Sequence, residues 1–150
     1  MTGLQHLDDY FETPDWLFDE IKRKTKLHFD LDFCASNENT KCAAYIDEEM
    51  DALRHDFKYH DKSDAIFCNP PRSKNKAFVN RLFEEWARYN LSVVILMCWN
   101  DFGNKYGEKI YNEAVKGNIE IHNIGKVKFH KNGIESEFPS RLTYCWVWLK

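Results

Sequence analysis

The stretch Leu91–Cys98 is nearly all apolar, and it limits the folds open to this chain more than any other segment does. Its apolar core, Val93 to Cys98, is far shorter than the roughly 20 residues that a membrane-spanning helix needs. A strand this apolar must be covered on both faces, which is typical of the middle of a parallel sheet packed between helices. The stretch therefore predicts a central strand of an α/β domain.

Strand and helix patterns alternate along the rest of the chain. A helix is predicted after Thr13-Pro14, with Thr13 as the cap and Pro14 in the first turn. The apolar spacing predicts two more helices, over residues 76–89 and 105–115. Strands are predicted over residues 28–33, around Ala43–Ile46, over Ala65–Cys68, from Ile119 to Ile124 and over Leu142–Leu149. This order predicts a three-layer α/β fold with a mostly parallel sheet.

The dipeptide Asn132-Gly133 lies between two short apolar runs, Val127–His130 and Ile134–Ser136. Asn-Gly between two such runs is typical of a tight hairpin turn. We expect this C-terminal hairpin to make the sheet mixed.

The composition indicates one ordered domain. The chain has 150 residues, of which 43% are hydrophobic and 30% charged, so we expect residues 1–150 to form a single folded unit. No charged-then-apolar leader opens the chain, and we expect neither export nor a membrane anchor. The five cysteines are odd in number and include no Cys-x-x-Cys pair, which predicts reduced thiols and no metal site.

Charge is unevenly distributed between the two parts of the chain. Residues 1–64 carry a net charge of -8, and residues 65–150 carry +5. Two interpretations stay open. The asymmetry reflects an uneven solvated surface, or the second part presents a basic face to a polyanion.

The tripeptide Asn69-Pro70-Pro71 ends the predicted strand Ala65–Cys68 abruptly. Two prolines remove two backbone donors and fix φ, so the turn is stiff and its carbonyl oxygens point in set directions. The Asn69 amide oxygen beside a free carbonyl offers two neighbouring acceptors. Such a pair suits an NH2 group with two protons to donate, such as the exocyclic amine of a nucleobase.

This tripeptide resembles motif IV of the S-adenosylmethionine-dependent amino-methyltransferases, written [DNS]-P-P-[YFW]. Residues 11–14 resemble their motif X, and residues 29–36 with 39–42 resemble the motif I region of the phage-type DNA N6-adenine methyltransferases. The resemblance is colinear over residues 10 to 149. It implies a Rossmann-like class I methyltransferase fold, S-adenosylmethionine as methyl donor, and DNA as the partner. It also implies a cytoplasmic protein of a prokaryotic or phage-infected cell, and we expect a monomer.

The resemblance implies roles for individual residues. Asn69 and the Pro70 carbonyl would hold the target amine of a flipped adenine, with Pro71 completing the corner. The cofactor would be contacted at its methionine part by Thr13, Pro14, Asp32 and Ala35, and at its ribose by Asp47 or Glu48. For Asp32 and Asp47, a solvated strand residue and a charged loop residue stay open as alternatives.

Arg72 stands where the family usually has Tyr, Phe or Trp, whose ring stacks on the base. A planar guanidinium can also stack on a base and attract phosphate, so Arg72 is a predicted catalytic and DNA-binding residue. Phe78, Trp99 and Phe102 are candidate substitutes for the ring, although core packing is an equal alternative for Trp99. Further DNA contacts are predicted at Lys74, Lys76, Lys128 and Lys131, for which a plain solvated face stays open.

The resemblance implies adenine-specific DNA methylation. From the length of 150 residues we expect no separate target-recognition domain. Two other functions stay open. The same pocket acts on RNA or on a protein amide, or the protein binds cofactor or DNA without turnover, an alternative that Arg72 favours.

Overall fold

The computed structural model describes residues 11–36, 38–47, 51–54 and 65–150. Its helices are α1 (Asp15–Thr25), α2 (Asn75–Tyr89) and α3 (Lys105–Val115). Its strands are β1 (Phe29–Asp32), β2 (Ala44–Tyr45), β3 (Ala65–Cys68), β4 (Ser92–Cys98), β5 (Ile119–Gly125), β6 (His130–Lys131), β7 (Ile134–Glu135) and β8 (Tyr144–Leu149). The predicted α/β alternation is confirmed.

Six strands form one sheet in the order β2-β1-β3-β4-β8-β5. The pairs from β2 to β4 are parallel, whereas β8 runs antiparallel between β4 and β5. The sheet is therefore mixed and mostly parallel, as predicted. The prediction that the C-terminal hairpin makes this sheet mixed was wrong, because the hairpin β6–β7 forms a separate two-stranded sheet. Its strands have only two residues each, whereas β8 pairs along its whole length with both neighbours.

Strand β4 lies in the middle of three layers. Val93, Ile95 and Met97 are buried in a cluster that includes residues of α2 and α3. The alternate residues Val94 and Leu96 are buried with residues of α1 on the other face. Both faces of β4 are thus covered, which is why its sequence can be apolar throughout.

Helix α1 begins one residue later than its sequence suggested. Pro14 occupies the N-cap position with φ -63° and ψ 145°, and no side chain caps the helix. The prediction that Thr13 caps this helix was wrong, since its hydroxyl is engaged with another part of the chain. Leu17, Phe18 and Ile21 form the buried stripe that packs α1 onto the sheet.

The hairpin turn at Asn132-Gly133 is confirmed. Both residues have positive φ, 54° and 78°, as a two-residue turn between right-twisted strands requires. The hairpin is tied to the segment before α1 by a bridge between Glu12 and His130, whose backbone hydrogen bonds measure 2.7 and 3.0 Å. The bridge brings the turn next to the carboxyl ends of the parallel strands.

The structure also bears on membrane spanning, on the state of the cysteines and on metal binding. In the described ranges, the helices are too short and too polar for a bilayer crossing. All five cysteines are free thiols, and four of them are buried. Within the same part of the chain, His, Cys, Asp and Glu residues form no cluster suited to a metal ion.

Candidate active site

A cleft of about 650 Å³ lies at the carboxyl ends of β1 and β3. Open parallel sheets bind ligands at this edge. The loop after β1 supplies Phe33–Ser36, the corner after β3 supplies Asn69 and Pro71, and the hairpin turn closes the cleft from a third side. One continuous cavity therefore joins the end of the first strand to the proline corner.

The amide of Asn69 has a defined orientation at the wall of the cleft. Its Nδ2 donates to the carbonyl of Phe11 at 3.2 Å and to Thr13 Oγ1 at 3.1 Å. Both amide hydrogens are thus engaged by the segment that precedes α1. The Asn69 Oδ1 accepts no hydrogen bond from the described residues, so the amide presents its oxygen as the available acceptor.

The two prolines differ in what their carbonyls do. The Pro71 carbonyl accepts the backbone N–H of Lys74 at 3.0 Å, and Pro71 itself has extended geometry. The Pro70 carbonyl accepts no hydrogen bond from the described part of the chain. Asn69 Oδ1 and the Pro70 carbonyl are therefore two neighbouring acceptors without a donor among the described residues. Asn69 lines the cleft, whereas Pro70 is buried and is not among the cleft-lining residues.

Asp32 lies at the end of β1 and is almost completely buried, with 3% of its surface exposed. Its carboxylate accepts the backbone N–H of Lys41 at 3.0 Å and that of Cys34 at 3.4 Å. Burial raises the pKa of Asp32 to about 6, and these two N–H groups offset part of the effect. Asp32 is not among the cleft-lining residues. Its hydrogen bonds stabilise the loop that lines the cleft. A contact between Asp32 and a cofactor stays a prediction.

The other predicted cofactor residues occupy different places. Ala35 and Asp47 line the cleft. Thr13 lines an adjoining groove that shares Glu12 and Asn39 with the cleft, and Pro14 is buried at the start of α1. Glu48 lies outside the described residues.

Acidic side chains dominate the ionisable groups of the cleft. Among the described residues, four carboxylates line it, those of Glu12, Glu38, Asp47 and Asp51, with Lys74 as the basic residue. Carboxylates accept hydrogen bonds from hydroxyl groups and attract positive charge. The lining therefore suits a ligand that carries hydroxyl groups and positive charge.

Arg72 directs its guanidinium at Asp101. Its Nη1 and Nη2 lie 3.2 and 3.4 Å from the two carboxylate oxygens. The side chain is largely buried, and Arg72 is not among the cleft-lining residues. In this structure the guanidinium forms an ion pair with Asp101. Contact of Arg72 with a base or a phosphate stays a prediction.

The aromatic and basic residues that were predicted to contact the base or the DNA lie in different places. Phe78 lines the cleft and packs edge-on against Phe33, with ring centroids 5.9 Å apart. Trp99 and Phe102 pack on each other instead, and Trp99 donates to Asn123. The predicted DNA-binding lysines are all exposed, and Lys74 also lines the cleft; they are Lys74, Lys76, Lys128 and Lys131.

Reasoning from the sequence missed Glu12 as a site residue. Its Oε1 accepts the backbone N–H of Gly133 at 2.9 Å, and its Oε2 accepts the Asn39 side-chain amide at 3.4 Å. Glu12 thus links the hairpin turn to the loop after β1 across one side of the cleft. Phe11 and Asp51 also line the cleft and were missed as site residues, although Phe11 lies within the segment that resembles motif X.

Comparison with known proteins gives two findings. The family described as DNA N-6-adenine-methyltransferase (Dam) matches residues 2–141. The chain is also similar to a DNA N-6-adenine-methyltransferase of Haemophilus phage HP1 (strain HP1c1), with 33% identity over 91 residues. That match covers 59% of this chain and 49% of the phage protein, so the chain spans about half the length of the curated relative it matches.

Proposed function

The chain belongs to the DNA N-6-adenine-methyltransferase family, and from this membership we propose that it methylates the N6 amine of adenine in DNA with S-adenosylmethionine as the donor. The orientation of the Asn69 amide carries the proposal. Its two hydrogens are held by Phe11 and Thr13, so its oxygen would be the atom that accepts a hydrogen bond from a substrate.

The cleft suits the proposed cofactor in size and in chemistry. Its volume of about 650 Å³ lies within the range of small-molecule sites. Asp47 would accept hydrogen bonds from the ribose hydroxyls, and the small side chain of Ala35 would leave room for the methionine part. The aromatic walls Phe33 and Phe78 would contact the adenine ring of the cofactor. When bound, S-adenosylmethionine supplies a methyl group on a positively charged sulfur.

Catalysis would come from two acceptors on one stiff corner. Asn69 Oδ1 and the Pro70 carbonyl would each accept one N–H of the target amine. Holding both protons would withdraw the nitrogen lone pair from the ring and direct it at the methyl carbon, so no strong base would be needed before transfer. The N–C bond would form as the methyl–sulfur bond breaks, and the methylated amine would then release one of its protons to solvent. The acceptors are in place beforehand, so no reorganisation is required at the moment of reaction.

DNA would reach the cleft with its target base outside the helical stack. Extrusion of a base costs a few kcal/mol, so contacts elsewhere must offset it. The exposed residues Lys74, Lys76, Lys128 and Lys131 would supply phosphate contacts near the cleft and on the hairpin. With so few contacts, affinity for DNA should be modest and should fall steeply with salt.

Incubation with labelled S-adenosylmethionine and unmethylated DNA tests the proposal. We expect N6-methyladenine in the digested product, and we expect Asn69→Ala to lower its formation by about 100-fold or more, the usual cost of losing one preorganised group. Asn112→Ala, at an exposed position on α3, is the control.

The same assay on RNA and on protein separates the alternative substrates. If Asn69→Ala matches the parent protein in incorporated methyl, the assigned role is wrong. Cofactor binding without product on any substrate would indicate a protein that has lost turnover.

A further inference from the structure

Asp101 is a buried carboxylate on which several elements converge. It lies in the short 3-10 helix Trp99–Gly103 that follows β4, and only 2% of its surface is exposed. Its Oδ2 accepts the backbone N–H of Cys98 at 2.9 Å and the Asn75 side-chain amide at 3.0 Å. Its Oδ1 accepts the hydroxyl of Tyr106 at 3.0 Å. The carboxylate therefore connects the end of β4 to the first residues of α2 and α3.

Arg72 completes this set of donors through both terminal nitrogens of its guanidinium. Paired, planar contacts of this kind fix the direction of the arginine side chain more strictly than a single contact would. Arg72 directly follows the Asn69–Pro71 corner, so the ion pair anchors the corner to the loop after β4. On its other side the corner is held by the contacts of Asn69 with Phe11 and Thr13.

Gly107 lets α3 lie directly against the backbone of Asp101. A Cβ at this position would lie 2.1 Å from the Asp101 carbonyl oxygen. This separation leaves no room for a side chain, so the approach that places Tyr106 on the carboxylate depends on glycine. The packing around Asp101 is tight on the backbone side and fully hydrogen-bonded on the carboxylate side.

We infer that Asp101 and Arg72 are positioning residues for the methyl-transfer site, and that Arg72 acts through Asp101 and not through contact with the base. The inference rests on the proposed function. The ion pair holds the two acceptors of the corner at the distance and angle that transfer requires. Arg72, the residue after the two prolines, thus anchors the corner through its ion pair with Asp101.

Steady-state kinetics on the parent protein and on Arg72→Ala, Asp101→Asn and the double variant test this inference. We expect each single variant to lower kcat about tenfold or more, since small displacements of a reacting group are costly. The KM for DNA and the Kd for S-adenosylmethionine should change less than about twofold, because neither ligand loses a contact. The double variant should be no slower than the slower single variant, as is usual for groups that act as a unit.

Two further variants sharpen the test. Arg72→Lys should recover part of kcat, because an ammonium can still reach one carboxylate oxygen. Arg88→Ala, which removes an exposed arginine near the end of α2, should leave kcat unchanged. Asp101→Asn preserves volume, and the circular dichroism spectrum and Tm of each variant identify any that fail to fold. Because Arg72 is partly exposed, its variants supply the kinetic test if the Asp101 variant unfolds.

A different pattern would overturn the inference. If Arg72→Ala raises the KM for DNA and lowers the slope of its salt dependence by about one while Asp101→Asn keeps full kcat, Arg72 contacts DNA directly. Losses that multiply in the double variant would also overturn it. A parent protein that methylates no DNA would instead overturn the proposed function.

Discussion

Thr13 Oγ1 accepts a hydrogen bond from Asn69 Nδ2 at 3.1 Å, which joins the segment before α1 to the corner after β3. The two residues are 56 positions apart in the chain. Together with the Phe11 carbonyl, Thr13 occupies both hydrogens of the Asn69 amide. A residue far from the corner in sequence therefore determines which atom of Asn69 a substrate would meet.

Replacement of Thr13 by Val should lower methyl transfer about tenfold while the fold is retained. Valine fills the same volume but accepts no hydrogen bond, so one amide hydrogen of Asn69 loses its partner, at a cost of about 1–3 kcal/mol. The amide is then free to rotate, and its oxygen is less well aimed. The measurement is kcat at saturating cofactor and DNA. Thr13→Ser, which keeps the hydroxyl, should recover most of the loss, and exposed Thr143→Val should change nothing.

The buried carboxyl of Asp32 should make stability depend on pH in the acidic range. Its folded-state pKa of about 6 lies above the value of 3.8 expected for an exposed Asp, so the folded protein binds this proton more tightly than the unfolded chain does. The contribution to the free energy of unfolding is then greatest below pH 3.8 and falls as pH rises through 6. The full difference between these two pKa values corresponds to about 3 kcal/mol in the free energy of unfolding.

Urea unfolding of the parent protein and of Asp32→Asn at several pH values between 4 and 7.5 measures this effect. The stability of the parent relative to the variant should decrease across that range. A difference that rises with pH, or that does not change, would contradict the assigned environment of Asp32.

Gly107→Ala should destabilise the protein although alanine is the better helix former. The added Cβ would lie 2.1 Å from the Asp101 carbonyl oxygen, so α3 or the Trp99–Gly103 turn must move. Overpacking of this kind costs about 1–3 kcal/mol. The matched control is Gly103→Ala, where an added Cβ meets no atom within 4 Å. Thermal unfolding of both variants should show a clear loss of Tm for the first and little change for the second.

Glu12→Ala should release the hairpin turn from the loop after β1. The substitution removes two hydrogen bonds, each worth about 1 kcal/mol, and leaves the backbone bridge to His130 in place. Hydrogen exchange at the Gly133 amide should become faster, because this N–H loses its acceptor. If the cleft holds the proposed cofactor, its Kd by calorimetry should rise several-fold. Glu137→Ala, at an exposed position beyond the hairpin, should affect neither measurement.

Much of the fold could be predicted because its signals are local. The spacing of apolar residues marked α2 and α3 within one residue of their observed ends, and Asn132-Gly133 marked the hairpin turn. The apolar run of β4 predicted a strand covered on both faces. The insertion of β8 between β4 and β5 could not be predicted in this way, since nothing local distinguishes a strand that joins an edge from one that inserts.

In the candidate site, too, the features that depend on neighbouring residues could be predicted and those that depend on distant residues could not. The chain order of Asn69, Pro70 and Pro71 after a buried strand was sufficient to predict a stiff corner with two acceptors, because proline restricts its own backbone wherever it stands. The partner of Arg72 was not predictable, since Asp101 is 29 residues away and reaches it only through the sheet. An exposed arginine free to stack and a buried arginine paired with a carboxylate look identical in sequence.

The sequence by itself determined which segments form helices and strands, because each depends on periodicity and on turn residues among near neighbours. It also determined that a corner with two proline-restricted residues follows β3. Only the tertiary structure decided the orientation of the Asn69 amide, the pairing of Arg72 with Asp101 and the link from Glu12 to Gly133. These contacts join residues 29 to 121 positions apart, and they exist because sheet packing brings distant loops to one edge.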